Sequence, residues 1–191
     1  MQVDGGQLIQ AAIAFEKADM LQFYISKGAK IDLPPDTVSK LYIDHERKPE
    51  YRKSPFIIQA AAQGDVECYN TLLNNGCKAE GETGFIGFSR KRKNQIISNV
   101  IGAAAFNGSN KILKRILRES AKDINFLSTE KKDFNAIGSF QLEYTNYTPI
   151  MLAAAGGGQN LDCIKQLVSA KADLTKLDGV QNNILHVAAY H

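Results

Sequence analysis

Four segments of this chain, and the start of a fifth, repeat one pattern: an alanine-rich apolar stretch, then an amphipathic stretch that ends at a small residue. The alanine-rich stretches are residues 8–15, 56–64, 100–108, 148–155 and 183–189. Their equivalent positions are Ala12, Ala60, Ala104, Ala153 and Ala188. These alanines are 48, 44, 49 and 35 residues apart. A helix pair of this size cannot bury its apolar face alone, so neighbouring copies must stack, and we expect an all-α repeat fold.

Two of the alanine-rich segments carry a motif. Residues 148–154 read Thr-Pro-Ile-Met-Leu-Ala-Ala, and residues 183–189 read Asn-Ile-Leu-His-Val-Ala-Ala. Both resemble the Thr-Pro-Leu-His-x-Ala-Ala signature of the ankyrin repeat, and the second keeps the histidine. Residues 62–66, 72–76 and 171–174 resemble later turn and helix elements of the same unit. Most of the chain is therefore similar to a divergent ankyrin-repeat protein.

The resemblance implies an ankyrin-type solenoid of stacked helix-turn-helix pairs with extended, partly β-hairpin finger insertions. An ankyrin unit has about 33 residues, so every connection except the last is longer by about 11 to 16 residues. The repeats occupy about residues 1–32, 55–79, 98–125, 148–178 and, truncated, 179–191, with insertions at 33–54, 80–97 and 126–147. Because a terminal repeat needs a polar outer face, we expect the natural protein to continue beyond residue 191.

Glycine and capping residues predict where the helices begin and end. Four glycines stand where a stretch stops, at positions that favour a left-handed backbone: Gly28, Gly64, Gly76 and Gly108. Asp65 or Asn110 is expected to cap the helix that follows it. The three glycines at 156–158 lack the spacing of a phosphate-binding loop, so they indicate a long turn between helices.

The three insertions are the candidate partner-binding surface, because loops carry function more often than the elements that they connect. In the first, the Pro-Pro-Asp sequence at 34–36 predicts a short helix over residues 38–43. In the third, the alternation at residues 140–144 predicts a strand. Aromatic and arginine side chains are typical of interface hot spots. The candidate contact residues are Tyr42, Arg47, Tyr51, Arg52, Phe85, Phe88, Arg90, Lys91, Arg92, Lys93 and Tyr144.

The basic run at residues 90–93 has several interpretations. It is a solvated finger tip, a site for an acidic protein surface, a nucleic-acid contact or a nuclear-import signal. We favour an acidic protein over nucleic acid, because four adjacent charges do not define a continuous phosphate track. The neighbouring Phe85 and Phe88 either fold back onto the array or serve as exposed anchors.

No combination of residues predicts catalysis, a cofactor or a metal ion. Cys68 and Cys77 are nine residues apart, without a second cysteine or histidine at ligand spacing. Together with Cys163 they make an odd number, which favours free thiols in a reducing compartment. All three are interpreted as small buried residues. The resemblance implies that His186 orients its turn through hydrogen bonds.

Composition narrows the class of function. The 191 residues include 23 basic and 20 acidic side chains, and the net charge of +3 argues against nucleic-acid binding. The sequence shows neither a signal-peptide pattern nor an apolar stretch long enough to span a bilayer. We therefore expect an intracellular protein, in the cytoplasm or alternatively in the nucleus.

The leading hypothesis is a non-catalytic scaffold or adaptor. It would bind a protein partner with an acidic surface through finger loops and concave helices, and it would have no small-molecule substrate. The alternative is a structural or regulatory ankyrin arm of a larger enzyme, channel or cytoskeletal assembly. A nucleic-acid-associated module is the least favoured hypothesis.

Overall fold

The computed structural model describes residues 5–31, 39–41, 50–52, 56–79, 86–88, 95–97, 99–119, 122–127 and 146–191. Nine α-helices lie in this part of the chain, close to where the two kinds of stretch predict them. They are α1 (Gly5–Ala14), α2 (Ala18–Ser26), α3 (Phe56–Gln63), α4 (Val66–Asn74), α5 (Val100–Phe106), α6 (Asn110–Glu119), α7 (Pro149–Ala155), α8 (Leu161–Ser169) and α9 (Ile184–Tyr190). The prediction of a helical fold is confirmed.

The helices pack in two layers. The first layer consists of α1, α3, α5, α7 and α9, each in contact with the next. The second layer consists of α2, α4, α6 and α8, again each in contact with the next. The first-layer helices α1, α3, α5 and α7 also contact the second-layer helix that follows them in the chain. Helices as short as these are marginal in isolation, so packing between neighbours supplies their stability.

Alanine allows the first-layer helices to approach one another closely. Ala60, Ala104 and Ala153 are fully buried, and Ala12 is nearly so. Every residue of α5, which lies between α3 and α7, is buried. Larger side chains on these faces would force the helices apart, because a protein core is close-packed. Ala188 in α9 is exposed, since α9 packs against α7 and no later helix follows it in the described chain.

The predicted glycine positions are confirmed at the helix ends. Gly28, Gly64, Gly76 and Gly108 all have positive φ angles, between 71° and 97°. The three-glycine turn is confirmed as well: α7 ends at its cap Gly156, Gly157 has φ 102°, and a short 3-10 turn at Gly158–Asn160 leads into α8.

At two of the described helix ends, a residue without the freedom of glycine takes the same left-handed conformation. Glu16 (φ 54°) follows α1 as Gly108 follows α5, and Lys171 (φ 67°) follows α8 as Gly76 follows α4. After each of these residues, the next N–H donates to the carbonyl oxygen five positions back, at 2.8 to 3.1 Å. Glu16 and Lys171 therefore end their helices as Gly108 and Gly76 do, although the residue type differs.

The two predicted helix caps have different outcomes. Asp65 caps α4, because its carboxylate accepts the backbone N–H groups of Glu67 at 3.0 Å and Cys68 at 3.2 Å. Asn110 is not the residue before α6, since α6 begins at Asn110 itself. Its side-chain oxygen instead accepts hydrogen bonds from Cys163 Sγ at 3.0 Å and Gln166 Nε2 at 3.3 Å in α8. A contact between repeats has taken the place of the local cap.

Two pairs of short antiparallel strands lie between successive helix pairs in the sequence. β1 (Ser39–Leu41) pairs with β2 (Glu50–Arg52), and β3 (Ile86–Phe88) pairs with β4 (Gln95–Ile97). The helix predicted over residues 38–43 is therefore wrong at 39–41. A helix of one or two turns is unstable alone, and pairing with β2 satisfies the backbone of this segment instead. The strand predicted at 140–144 lies outside the described residues.

Candidate partner-binding surface

Few of the predicted contact residues fall in the described part of the chain. Tyr51 and Arg52 belong to β2, and Phe88 ends β3. The others lie outside the described residues: Tyr42, Arg47, Phe85, Arg90, Lys91, Arg92, Lys93 and Tyr144. Their roles stay predictions.

The strand pairing brings parts of the predicted surface together at the level of the backbone. Tyr51 is opposite Lys40, and Arg52 is opposite Ser39. Phe88 is opposite Gln95, which means that the two strands flank residues 89–94 and the basic run within them. Two of the three candidate insertions therefore contain an antiparallel strand pair.

Hydrogen bonds between repeats hold the elements on which these insertions are mounted. After α5 and after α7, a polar side chain donates to a carbonyl oxygen at the end of the preceding first-layer helix. Ser109 Oγ donates to Ala62 at 3.3 Å, and Asn160 Nδ2 donates to Phe106 at 2.7 Å. Because the last carbonyl groups of a helix have no partner within it, these two side chains complete the hydrogen bonding of the preceding helix.

The start of α9 shows what the signature histidine does. Asn183 Oδ1 accepts the N–H groups of Leu185 at 3.0 Å and His186 at 3.1 Å, and His186 Nδ1 accepts the N–H of Asn183 at 3.2 Å. The implied hydrogen-bonding role of His186 is confirmed. At the start of α7, Met151 takes the place of the histidine, and the buried Thr148 Oγ1 has no hydrogen-bond partner among the described residues.

The helix pair formed by α7 and α8 matches a known family. A family model, ankyrin repeat, matches residues 145–179, which include α7, α8 and the turn between them. This match supports an ankyrin repeat at residues 145–179. No curated protein matches it. Ankyrin repeats generally mediate protein–protein interaction, so the surface of the array is where a functional site is to be sought.

The three cysteines are buried and form no disulfide, as predicted. Burial, with a smaller effect from Asp162, raises the pKa of Cys163 to about 11. Burial and a hydrogen bond with Asp65 raise the pKa of Cys68 well above its ordinary value. Because the thiolate is the nucleophile and the metal ligand, these two thiols are held in their unreactive form.

Among the described residues, no three histidine, cysteine or acidic side chains are grouped so that they could hold a metal ion. None of the described helices combines the length and the apolar character needed to cross a membrane.

One charged surface of the array was missed by the sequence analysis. Lys111, Lys114 and Arg118 are exposed on α6, on the side away from its buried residues Ile112 and Ile116. Positions separated by three and four residues lie on one face of a helix. That spacing was visible in the sequence, but only the burial pattern shows which face of α6 points outward.

Proposed function

We propose that this ankyrin-repeat chain is a non-catalytic scaffold or adaptor that binds a protein partner. The helix pairs would form a solenoid, and the strand-paired insertions would be its fingers. The observation that carries the proposal is the two-layer stack of helix pairs in which two connections contain antiparallel strands. A rigid stack with projecting loops suits binding better than chemistry, because loops held by a scaffold are the usual place for contacts.

The contacts would come chiefly from the insertions. The first-layer helices, proposed as the concave side, have little free surface at the centre, since every residue of α5 is buried. Aromatic side chains such as Tyr51 and Phe88 would anchor the partner. The basic run at 90–93 would steer the association towards an acidic surface.

No catalytic role is proposed for the thiols of Cys68 and Cys163. Cys68 and Cys163 are fully buried, with raised pKa values. We propose a cytoplasmic location, because three buried cysteines that form no disulfide suit a reducing compartment.

Cross-linking mass spectrometry of the native protein in a gentle lysate tests this proposal. Links from the insertion lysines, such as Lys91 and Lys93, to one other protein would support it and identify that partner. Links confined to the protein's own polypeptide would instead indicate an internal arm of a larger assembly.

Affinity capture of the identified partner then tests the fingers directly. The quadruple alanine variant of residues 90–93 should capture much less of the partner than the unchanged protein does, because the positive charges that attract an acidic surface are lost. A control with the same loss of charge replaces four exposed lysines elsewhere: Lys17, Lys30, Lys78 and Lys176. An equal loss of captured partner in both variants would show that the basic finger residues do not bind the partner specifically.

A further inference from the structure

We infer that the outward side of α6 is a docking surface for an acidic helical segment of a partner protein. This surface, the basic face, consists of Lys111, Lys114 and Arg118, all exposed on the second layer. The inference rests on the proposed protein-binding function for the class of partner, but it involves none of the insertions.

The basic face is narrow and straight. At 3.6 residues per turn, its three side chains leave the α6 axis within about 60° of one another. The buried Ile112 and Ile116 lie on the opposite side. Lys111 and Arg118 are separated by about 10 Å along the axis. The cations therefore form a row that a second helix could follow.

Other cations of the second layer are already engaged. Arg115 Nε contacts Glu119 Oε1 at 2.8 Å, and the Arg115 guanidinium stands 6.0 Å from the ring centre of Tyr69 in α4. On α8, Lys165 pairs with Asp162 at 3.6 Å. The residues of the basic face make no ion pair within the part of the chain that the structure describes.

The spacing of the cations on α6 destabilises this helix. Lys114 and Arg118 are four residues apart, as are Lys111 and Arg115, and like charges at that spacing repel one another. Glu119 is the one acidic residue in α6, and it is paired with Arg115. An approaching row of carboxylates would relieve the repulsion and would leave the contacts of Arg115 intact.

The exposed side chains of α6 point to an acidic helix rather than to a membrane or RNA. All of them are charged: Lys111, Lys114, Arg118 and Glu119. A surface that binds membranes needs apolar side chains to enter the bilayer, and a surface that binds single-stranded RNA usually needs aromatic rings for stacking. Carboxylates three and seven positions apart on a partner helix would match the spacing of the basic face, and arginine can hold a carboxylate through two hydrogen bonds.

The test measures binding of a labelled synthetic helical peptide that carries glutamates at this spacing, by fluorescence anisotropy on the full chain. A peptide with glutamine in place of each glutamate is the matched control. We expect the glutamate peptide to bind, and the triple variant K111Q/K114Q/R118Q to bind it about tenfold more weakly or worse. A control variant with the same loss of charge, K17Q/K78Q/K176Q, should keep its affinity within about twofold.

Several results would overturn the inference. They are equal weakening in both triple variants, equal binding of the two peptides, and no binding of the glutamate peptide. Binding of phosphatidylserine vesicles or of a single-stranded RNA through the basic face, in preference to the peptide, would show that the class of partner is wrong. Circular dichroism checks folding, and the α6 variant should melt no lower than the unchanged protein, because its repulsion is removed. The insertion variants described above test the proposed function separately.

Discussion

Asn160 lies directly over Gly156, so that a Cβ atom on Gly156 would meet Asn160 Nδ2 and the carbonyl oxygen of Phe106. From this position Asn160 donates to the carbonyl oxygens of Phe106 at 2.7 Å and Ala105 at 3.1 Å. The side chain is buried, and these bonds satisfy the end of α5. The glycine is required here by close approach, because Gly156 itself has an ordinary helical backbone.

The substitution Gly156→Ala is therefore expected to lower the free energy of unfolding by about 2 to 4 kcal/mol. The added methyl group would displace Asn160 and leave buried carbonyl groups unpaired. Gly158→Ala is the matched control, since a Cβ there meets nothing within 4 Å. Its effect should stay within about 1 kcal/mol, measured by urea denaturation. A similar loss in both variants would contradict the role given to Asn160.

The substitution Lys171→Gly is expected to stabilise the protein. Lys171 is exposed and has φ 67°, a conformation that costs a residue with a side chain about 1 to 2 kcal/mol. Glycine loses about 0.5 to 1 kcal/mol more backbone entropy on folding, so the net gain should be about 0.5 to 1 kcal/mol. The control Lys165→Gly, within α8, should instead destabilise by about 1 kcal/mol. Thermal melting tests both predictions, since the melting temperature should rise for Lys171→Gly and fall for Lys165→Gly.

The substitution Thr148→Val is expected to be neutral or stabilising, although threonine is a common capping residue. Its hydroxyl is buried without a partner in the described structure, and a methyl group of similar shape removes that cost of about 1 kcal/mol. Asp65→Ala should destabilise by about 1 kcal/mol, because Asp65 makes two capping bonds. Chemical denaturation of both variants measures the difference in their free energies of unfolding. A destabilised Thr148→Val would show that the hydroxyl has a partner in the folded protein.

Raising the pH from about 7 to about 10 is expected to destabilise the fold. Burial raises the pKa of Cys163 from 9.0 to about 11, and burial together with Glu119 raises the pKa of Tyr69 from 10.0 to about 12. The unfolded groups lose their protons first, so stability present below pH 9 is lost through pH 9 to 11 for Cys163 and 10 to 12 for Tyr69. By pH 10 the loss from Cys163 should be about 1 kcal/mol.

The variant Cys163→Ala separates this titration from general alkaline damage. It should be less stable than the unchanged protein near pH 7, because a buried side chain becomes smaller. Its stability should also fall less between about pH 7 and about pH 10. An unchanged dependence on pH would mean that Cys163 does not titrate as its burial implies.

Local sequence patterns predicted most of the helices of this chain. The alanines of the first-layer helices and the glycines at helix ends depend on local spacing, and both were confirmed. The short helix over residues 38–43 was wrong at 39–41, because a weak local preference yielded to pairing with β2. Most of the predicted contact residues lie outside the described residues, so the candidate surface in the insertions stays a prediction.

The repetition of helix pairs, their ends and the small residues between them could be predicted from the amino-acid sequence, because these features follow from local periodicity and backbone freedom. The way in which neighbouring repeats use their polar side chains became visible in the folded structure. Asn110 accepts bonds from α8 instead of capping α6, and Asn160 completes the end of α5. The folded structure also shows that the basic face points outward. Such partners are about fifty residues apart in the chain, and only stacking brings them within hydrogen-bond distance.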